Sequence, residues 1–279
     1  MPAPRLFEGP SEQRERWIHP LACLLGLCGP DTRPALVSEL AGEDLPGAAD
    51  ATVREAHPLG GGGADILVRD RDGRWALVIQ STLGYDADVQ AGIETAHAAL
   101  AGKAERIIGV VITPDRKPPA AVTAAAAGGL DVRHKSWLRV RDWVQERPER
   151  GNAQGVDAAL LREAEYFYTP RVAELYRLEE FFPTLPQNLR PVFAGIYFDL
   201  NDLHIAPAIS HPSTGVSQVR ISFPRSGDAA AEITLDNGAL AVRVKDGDWS
   251  SVAVTSGAVW TANRSEVLAS ARRMLPAPR

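Results

Sequence analysis

Ala64-Asp65-Ile66-Leu67-Val68 and Trp75-Ala76-Leu77-Val78-Ile79-Gln80-Ser81-Thr82 form the clearest local pattern in the chain. Both segments begin as apolar runs of strand length. The polar segment between them contains Asp72-Gly73, a pair whose backbone suits a tight turn. The pattern predicts a β-hairpin with an acid opening its first strand and three polar residues closing its second.

Working outward, Glu12 to Leu27 has apolar residues Trp17, Ile18, Leu21, Leu24 and Leu25 at three-and-four spacing, which predicts a helix that Gly29-Pro30 stops. A short helix over Pro34 to Leu40 and a weak strand over Ala51 to His57 precede Gly60 to Gly63. After the hairpin, Asp86 to Leu100 has helical composition, with acids where the helix dipole favours them. Arg106 to Thr113 is a nearly continuous apolar, β-branched run, as expected of a central strand covered on both faces. An Ala-rich helix (Pro118 to Ala127), a strand (Leu130 to His134) and a helix (Trp137 to Glu146) complete an α/β pattern over residues 1–150.

Glu146 to Gly155 is charged and contains Pro and Gly, so the sequence places a domain boundary there, with a second domain over residues 156–279. Asp157 to Tyr168 and Arg171 to Phe181 read as two helices parted by Thr169-Pro170. Short strands are expected at Val192 to Phe198, Leu203 to Ala208, Val216 to Phe223, Ala230 to Leu235 and Ala239 to Val244, then a helix over Ser265 to Leu275. Asp236-Asn237-Gly238 marks a hairpin. The second half is therefore expected to be an α+β domain with an antiparallel sheet.

The hairpin and the helix after it resemble the core of the PD-(D/E)XK nuclease superfamily, the restriction-endonuclease-like fold. The resemblance implies a mixed sheet flanked by helices in the N-terminal domain. In that family an Asp begins the first hairpin strand, a Glu-x-Lys ends the second, and the next helix often carries Gln. Asp65 stands in the Asp position, Gln80 where Glu would be, Thr82 where Lys would be, and Gln90 where the helix Gln would be. Family members often place an extra Glu on the first helix, here Glu12 or Glu15.

Hydrolysis of a phosphodiester by this family uses a divalent metal, and hard cations such as magnesium or manganese want carboxylate oxygens. Asp65 is one metal ligand by resemblance. Gln80 offers only a neutral carbonyl oxygen, and Thr82 offers no cation. Lysine cannot readily be supplied from elsewhere, because the chain has four (Lys103, Lys117, Lys135 and Lys245) and none lies on the hairpin. Arg is a poor proton shuttle. Both substitutions favour a lapsed site over a working one. A relocated site of Glu15, Asp65 and Gln80, or one using Glu55, ranks below loss of catalysis.

Charge and composition bear on partners. Formal net charge is −5, but residues 1–100 carry −7, residues 101–150 carry +4 and the remainder −2. Arg133, Lys135, Arg139 and Arg141 crowd around Trp137 and Trp143, a candidate stripe for contacting the phosphates of DNA or RNA. Nine of the twelve Phe and Tyr residues fall between Tyr166 and Phe198, expected as the core of the second domain, with an exposed patch for a protein partner as the minority reading. Two cysteines form neither a disulfide framework nor a zinc site. The six histidines have no ligand spacing. With no signal-peptide-like or membrane-spanning segment, the sequence predicts a cytoplasmic protein that meets no membrane. Taken together, these features predict a nuclease-fold protein with a degenerate site. It would bind nucleic acid or protein within a nucleic-acid-processing or defence system. The alternatives are a divergent metal-dependent endonuclease and a scaffold assembling through the second domain.

Overall fold

The computed structural model describes residues 13–59, 62–81, 89–149 and 155–181, and beyond them 189, 192–193, 196–197, 207–208, 218–222, 229–236, 239–246, 248–255 and 257–273. The chain divides into two compact units, the division falling after Glu174.

In the first unit, helices α1 (Gln13–Leu27) and α2 (Thr32–Ala41) lead into three antiparallel strands, β1 (Thr52–Leu59), β2 (Gly62–Arg69) and β3 (Trp75–Ser81). Helix α3 (Val89–Leu100) carries the chain to β4 (Arg106–Thr113), parallel to β3. Helix α4 (Ala120–Ala127) leads to β5 (Val132–Ser136), parallel to β4, and α5 (Trp137–Glu149) follows directly. The sheet order is β1-β2-β3-β4-β5, a mixed five-stranded sheet with helices on both faces.

The hairpin is where the sequence places it. Gly73 takes φ 76° in the turn, a left-handed conformation open to glycine. The carboxylate of Asp70, 4% exposed, accepts from the backbone N–H and guanidinium of Arg74 and braces the same turn. Every residue of β3 is buried, as its unbroken apolar run demands of a central strand. Leu67, Ala76 and Val78 pack with Ala96 and Leu100 of α3. Ile66, Val68, Leu77 and Ile79 alternate to the other face, which α1 covers. Val111 joins Ile93, Val122, Ala125 and Val132 beneath α3 and α4.

Helix α6 (Gly155–Phe181) differs from the expected pair of helices, for it runs unbroken through Pro170. Its first twenty residues, Gly155 to Glu174, belong to the first unit, so the division falls inside this helix rather than in the charged stretch of sequence near residue 150. The reason is packing. Asp157 accepts the backbone N–H of Gly29 at 2.9 Å, Gln145 donates to Thr169, and the Tyr168 hydroxyl donates to the carbonyl of Trp17 at 2.7 Å. Trp17, Trp137, Phe167 and Tyr168 form one aromatic cluster, with Trp17 and Trp137 centroids 5.0 Å apart. A charged stretch containing Pro and Gly does not by itself mark a domain boundary; only the apolar face after it shows which core the chain joins.

The second unit carries an antiparallel sheet of order β10-β9-β8-β7-β6, built from β6 (Pro207–Ala208), β7 (Gln218–Ser222), β8 (Ala229–Asp236), β9 (Ala239–Asp246) and β10 (Asp248–Val254). Asp236 pairs with Ala239, as the Asp-Asn-Gly signal predicts. Helix α7 (Gly257–Arg273) packs on β9 and β10, with Trp260 fully buried. The strand expected over Val192 to Phe198 is corrected, since residues 192–193 and 196–197 are helical. A short apolar run carries no period that separates strand from buried helix. The expected aromatic core is shared: Phe167 and Tyr168 are buried in the first unit, Tyr176, Phe193 and Tyr197 in the second, while Tyr166 is exposed. Among the described residues no helix is long and apolar enough to cross a membrane.

Candidate functional site

The end of the hairpin opposite its turn gathers the residues that could carry chemistry. The ladder between β2 and β3 runs from Arg69–Ala76 to Ile66–Ile79. Asp65 and Gln80 are the next residues outward on either strand. Each lies two positions beyond the Leu67–Val78 pair, so both point to the α3 face.

Asp65 is partly buried, and its Oδ2 accepts the backbone N–H of Ser81 at 2.6 Å. Gln80 is 6% exposed. Its terminal amide lies against Gly92 of α3, so that a Cβ built on Gly92 would stand 2.5 Å from Nε2 and 3.0 Å from Oε1. A glycine at this position is what lets α3 approach the end of β3 with a glutamine side chain between them. Gly92 was not singled out by the sequence. Its only signal there was a glycine interrupting a helical pattern two residues after Gln90.

Gln90 lies in the first turn of α3 and Glu15 in the first turn of α1, but both side chains, with Thr82 and Glu12 entire, lie outside the described residues. Glu55 does not join Asp65. It pairs across the ladder with Ile66, whose side chain occupies the opposite face of the sheet, and it bonds there to His19 of α1 at 3.1 Å. Lys103 is remote as well. Its carbonyl accepts from Arg69 beside the hairpin turn, four residues and about 13 Å of strand from Asp65. Among the described residues no cluster of three or more His, Cys, Asp or Glu side chains could hold a metal ion.

One row further along the same face, Gln80 stands in register with Val111 of β4, and Val111 with His134 of β5. His134 Nε2 and the Thr113 hydroxyl are 2.8 Å apart. Burial first, then the charge of Lys135, pushes the imidazole down to about 4, so this histidine is neutral at ordinary pH.

The basic stripe is paired internally. Glu39 of α2 accepts from Lys135 at 3.2 Å and from Arg139 through both carboxylate oxygens, at 2.9 and 2.7 Å. Burial works to raise the Glu39 carboxyl, but the hydrogen bonds and charges of Arg139 and Lys135 outweigh it and hold the group below the usual carboxylate range. Arg133 bonds Asp131 and lies 3.5 Å from Glu43, which Arg106 also clamps through two nitrogens. Arg141 bonds the adjacent Asp142. Each of the four cations singled out in the sequence therefore faces a carboxylate: Glu39 of α2, Glu43 just after it, Asp131 just before β5 or Asp142 of α5.

No protein-family profile matches the chain, and neither does a curated protein or a solved structure.

Proposed function

We propose that the first unit is a restriction-endonuclease-like domain that has lost catalysis and serves as a binding component, at work in the cytoplasm within a nucleic-acid-processing or defence assembly. The observation that carries this reading is the geometry at the end of the hairpin. Asp65 and Gln80 occupy the neighbouring positions where the family pairs two carboxylates, but Asp65 bonds the Ser81 backbone and Gln80 brings a buried neutral amide packed on Gly92. A single carboxylate beside an amide is a weak seat for magnesium or manganese.

The paired state of Arg133, Lys135, Arg139 and Arg141 favours a protein partner over nucleic acid, because cations already neutralised by Glu39, Glu43, Asp131 and Asp142 release few counterions on meeting phosphates. Titration of the full chain with fluorescent duplex DNA, single-stranded DNA and RNA at about 50 mM salt, where contacts to several phosphates are strongest, tests this point. The reading expects weak binding. Tight, steeply salt-dependent binding lost in Arg139→Glu would make nucleic acid the ligand instead.

A second reading, a divergent metal-dependent endonuclease, draws on the same residues, since Asp65 and the Gln80 carbonyl are neighbours on one face. It requires a divalent ion to bind there, which calorimetry with manganese measures directly.

A further inference from the structure

On the face of the sheet away from Asp65, three side chains form a chain of hydrogen bonds. Cys23 Sγ lies 3.6 Å from His19 Nε2. The other ring nitrogen, Nδ1, lies 3.1 Å from Glu55 Oε2 and 3.3 Å from Oε1. The sequence prepares half of this, for His19 and Cys23 are four residues apart in α1 and so share one helix face. The strand β1 brings Glu55 up behind the imidazole. With its proton on Nδ1 directed at the carboxylate, the ring presents the Nε2 lone pair to the thiol. This is the order of nucleophile, base and orienting acid.

We propose that Cys23 is a reactive thiol, a site of covalent modification by hydroperoxides, with His19 as its general base and Glu55 as the group that orients the imidazole. The thiol proton passes to Nε2 of His19 as the sulfur attacks one oxygen of the peroxide. An S–O bond forms, the O–O bond breaks, and the departing hydroxide (from hydrogen peroxide) or alkoxide (from an organic hydroperoxide) takes the proton from Nε2 and leaves as water or alcohol. Sulfur is oxidised by two electrons to a sulfenic acid and the peroxide is reduced.

Two considerations support a reactive role over a merely structural one. Cys23 is partly exposed, and the His19 and Glu55 side chains are 32% and 36% exposed, so a small oxidant can reach them. A contact this open contributes little stability. Burial first, and the Glu55 charge second, raise the Cys23 thiol above its ordinary value, which by itself disfavours the thiolate, so reaction depends on His19 Nε2, 3.6 Å from Sγ, taking the proton. Zinc would also suit a sulfur and a nitrogen at this separation, but Glu55 stands behind the ring on Nδ1 and so orients rather than ligates, and the described residues offer no third ligand.

The protein carries its own control. Cys28 is 1% exposed, and burial first, then the Asp157 charge, pushes its thiol up to about 12 against the opposing effect of Arg33. The reduced full chain is exposed to hydrogen peroxide, the sulfenic acid is trapped with dimedone, and both cysteine peptides are followed by mass spectrometry. Cys23 is expected to be trapped at least about tenfold faster than Cys28, the low end of what a general base supplies. Glu55→Gln, which keeps the size and hydrogen bond of the residue and removes only charge, should slow Cys23 several-fold. His19→Ala should slow it about tenfold or more, with partial rescue by added imidazole, and Cys28 should be unaffected. A rise in Cys28 labelling would report unfolding of that variant, in which case Glu55→Gln decides. Equal rates at the two cysteines, a Cys23 rate indifferent to Glu55→Gln, or zinc retained by the purified protein and lost with Cys23→Ser would each overturn the proposal.

Discussion

The carboxylate of Asp65 accepts the backbone N–H of Ser81 at 2.6 Å, across the gap where β2 and β3 cease to pair. The acid at the head of β2 thus closes the end of the hairpin. Asp65→Ala should leave a buried N–H without its acceptor and cost about 1–3 kcal/mol in urea unfolding. Asp65→Asn, which keeps an acceptor and loses the charge, should cost less than half of that. Equal losses in the two variants would show that the charge, and not the bond to Ser81, is what the fold uses.

Gly92 and Gln80 form a second pair whose sign is informative. In an exposed helix interior, Gly→Ala stabilises by about 1 kcal/mol. Here the new Cβ meets the buried Gln80 amide, so Gly92→Ala should destabilise by about 1–3 kcal/mol. In a Gln80→Ala background the same change should become neutral or favourable. A double-mutant cycle on the melting temperatures measures this coupling directly.

If Gln80 stands where a metal-binding carboxylate would, as the proposed function has it, Gln80→Glu should create a site for an ion. Gln80→Glu places a second carboxylate beside Asp65 in a buried position, which should lower stability by about 2 kcal/mol without metal, by desolvation and repulsion. Millimolar manganese should recover several degrees of melting temperature in this variant and leave the wild type unmoved. Identical responses of the two proteins would remove the analogy with a two-carboxylate site.

The pH dependence follows from His134 and Glu39. A histidine held down at about 4 in the fold and ordinary when unfolded leaves stability whole above pH of about 6.5 and drains it as pH falls toward 4, because only the unfolded chain takes the proton in that window. Glu39, whose carboxyl is lowered, adds a further loss only below its ordinary value, as pH falls through the depressed one. His134→Gln, which preserves a partner for Thr113, should remove the first part of the loss and spare the second. Urea midpoints from pH 8 to 3.5 separate them.

Glu39→Gln should cost about 1 kcal/mol and release Lys135 and Arg139 together. If those cations are held out of reach of phosphate by this carboxylate, the variant should bind duplex DNA several-fold tighter than the wild type at low salt, with a steeper salt slope in fluorescence anisotropy.

The hairpin, the central strand Arg106–Thr113 and the order of elements were legible because each is specified locally, by apolar runs and turn residues. Asp65 was legible for the same reason, standing at the head of its strand. The pairing of Glu39 with Lys135 and Arg139 was not, since it joins residues about a hundred positions apart. Composition alone made the basic stripe look like open cations. Gly92 was hidden because its role depends on what α3 meets, and the membership of Leu160, Phe167 and Tyr168 in the first core was hidden by the charged stretch of sequence ahead of them. Residues 192–193 and 196–197 defeated the reading as strand because Val192 to Phe198 has no distinguishing period. His19 and Cys23 were passed over, and Glu55 was weighed only as a metal ligand beside Asp65, since the relation of the three exists only once β1 lies against α1.

The proposed loss of catalysis is tested most directly by incubating the purified full chain, beside its Asp65→Ala variant, with supercoiled plasmid and with RNA in magnesium and in manganese, and following the substrates on gels. A degenerate site predicts no cleavage above that of the variant in either metal. Cleavage by the wild type that Asp65→Ala abolishes would contradict the account.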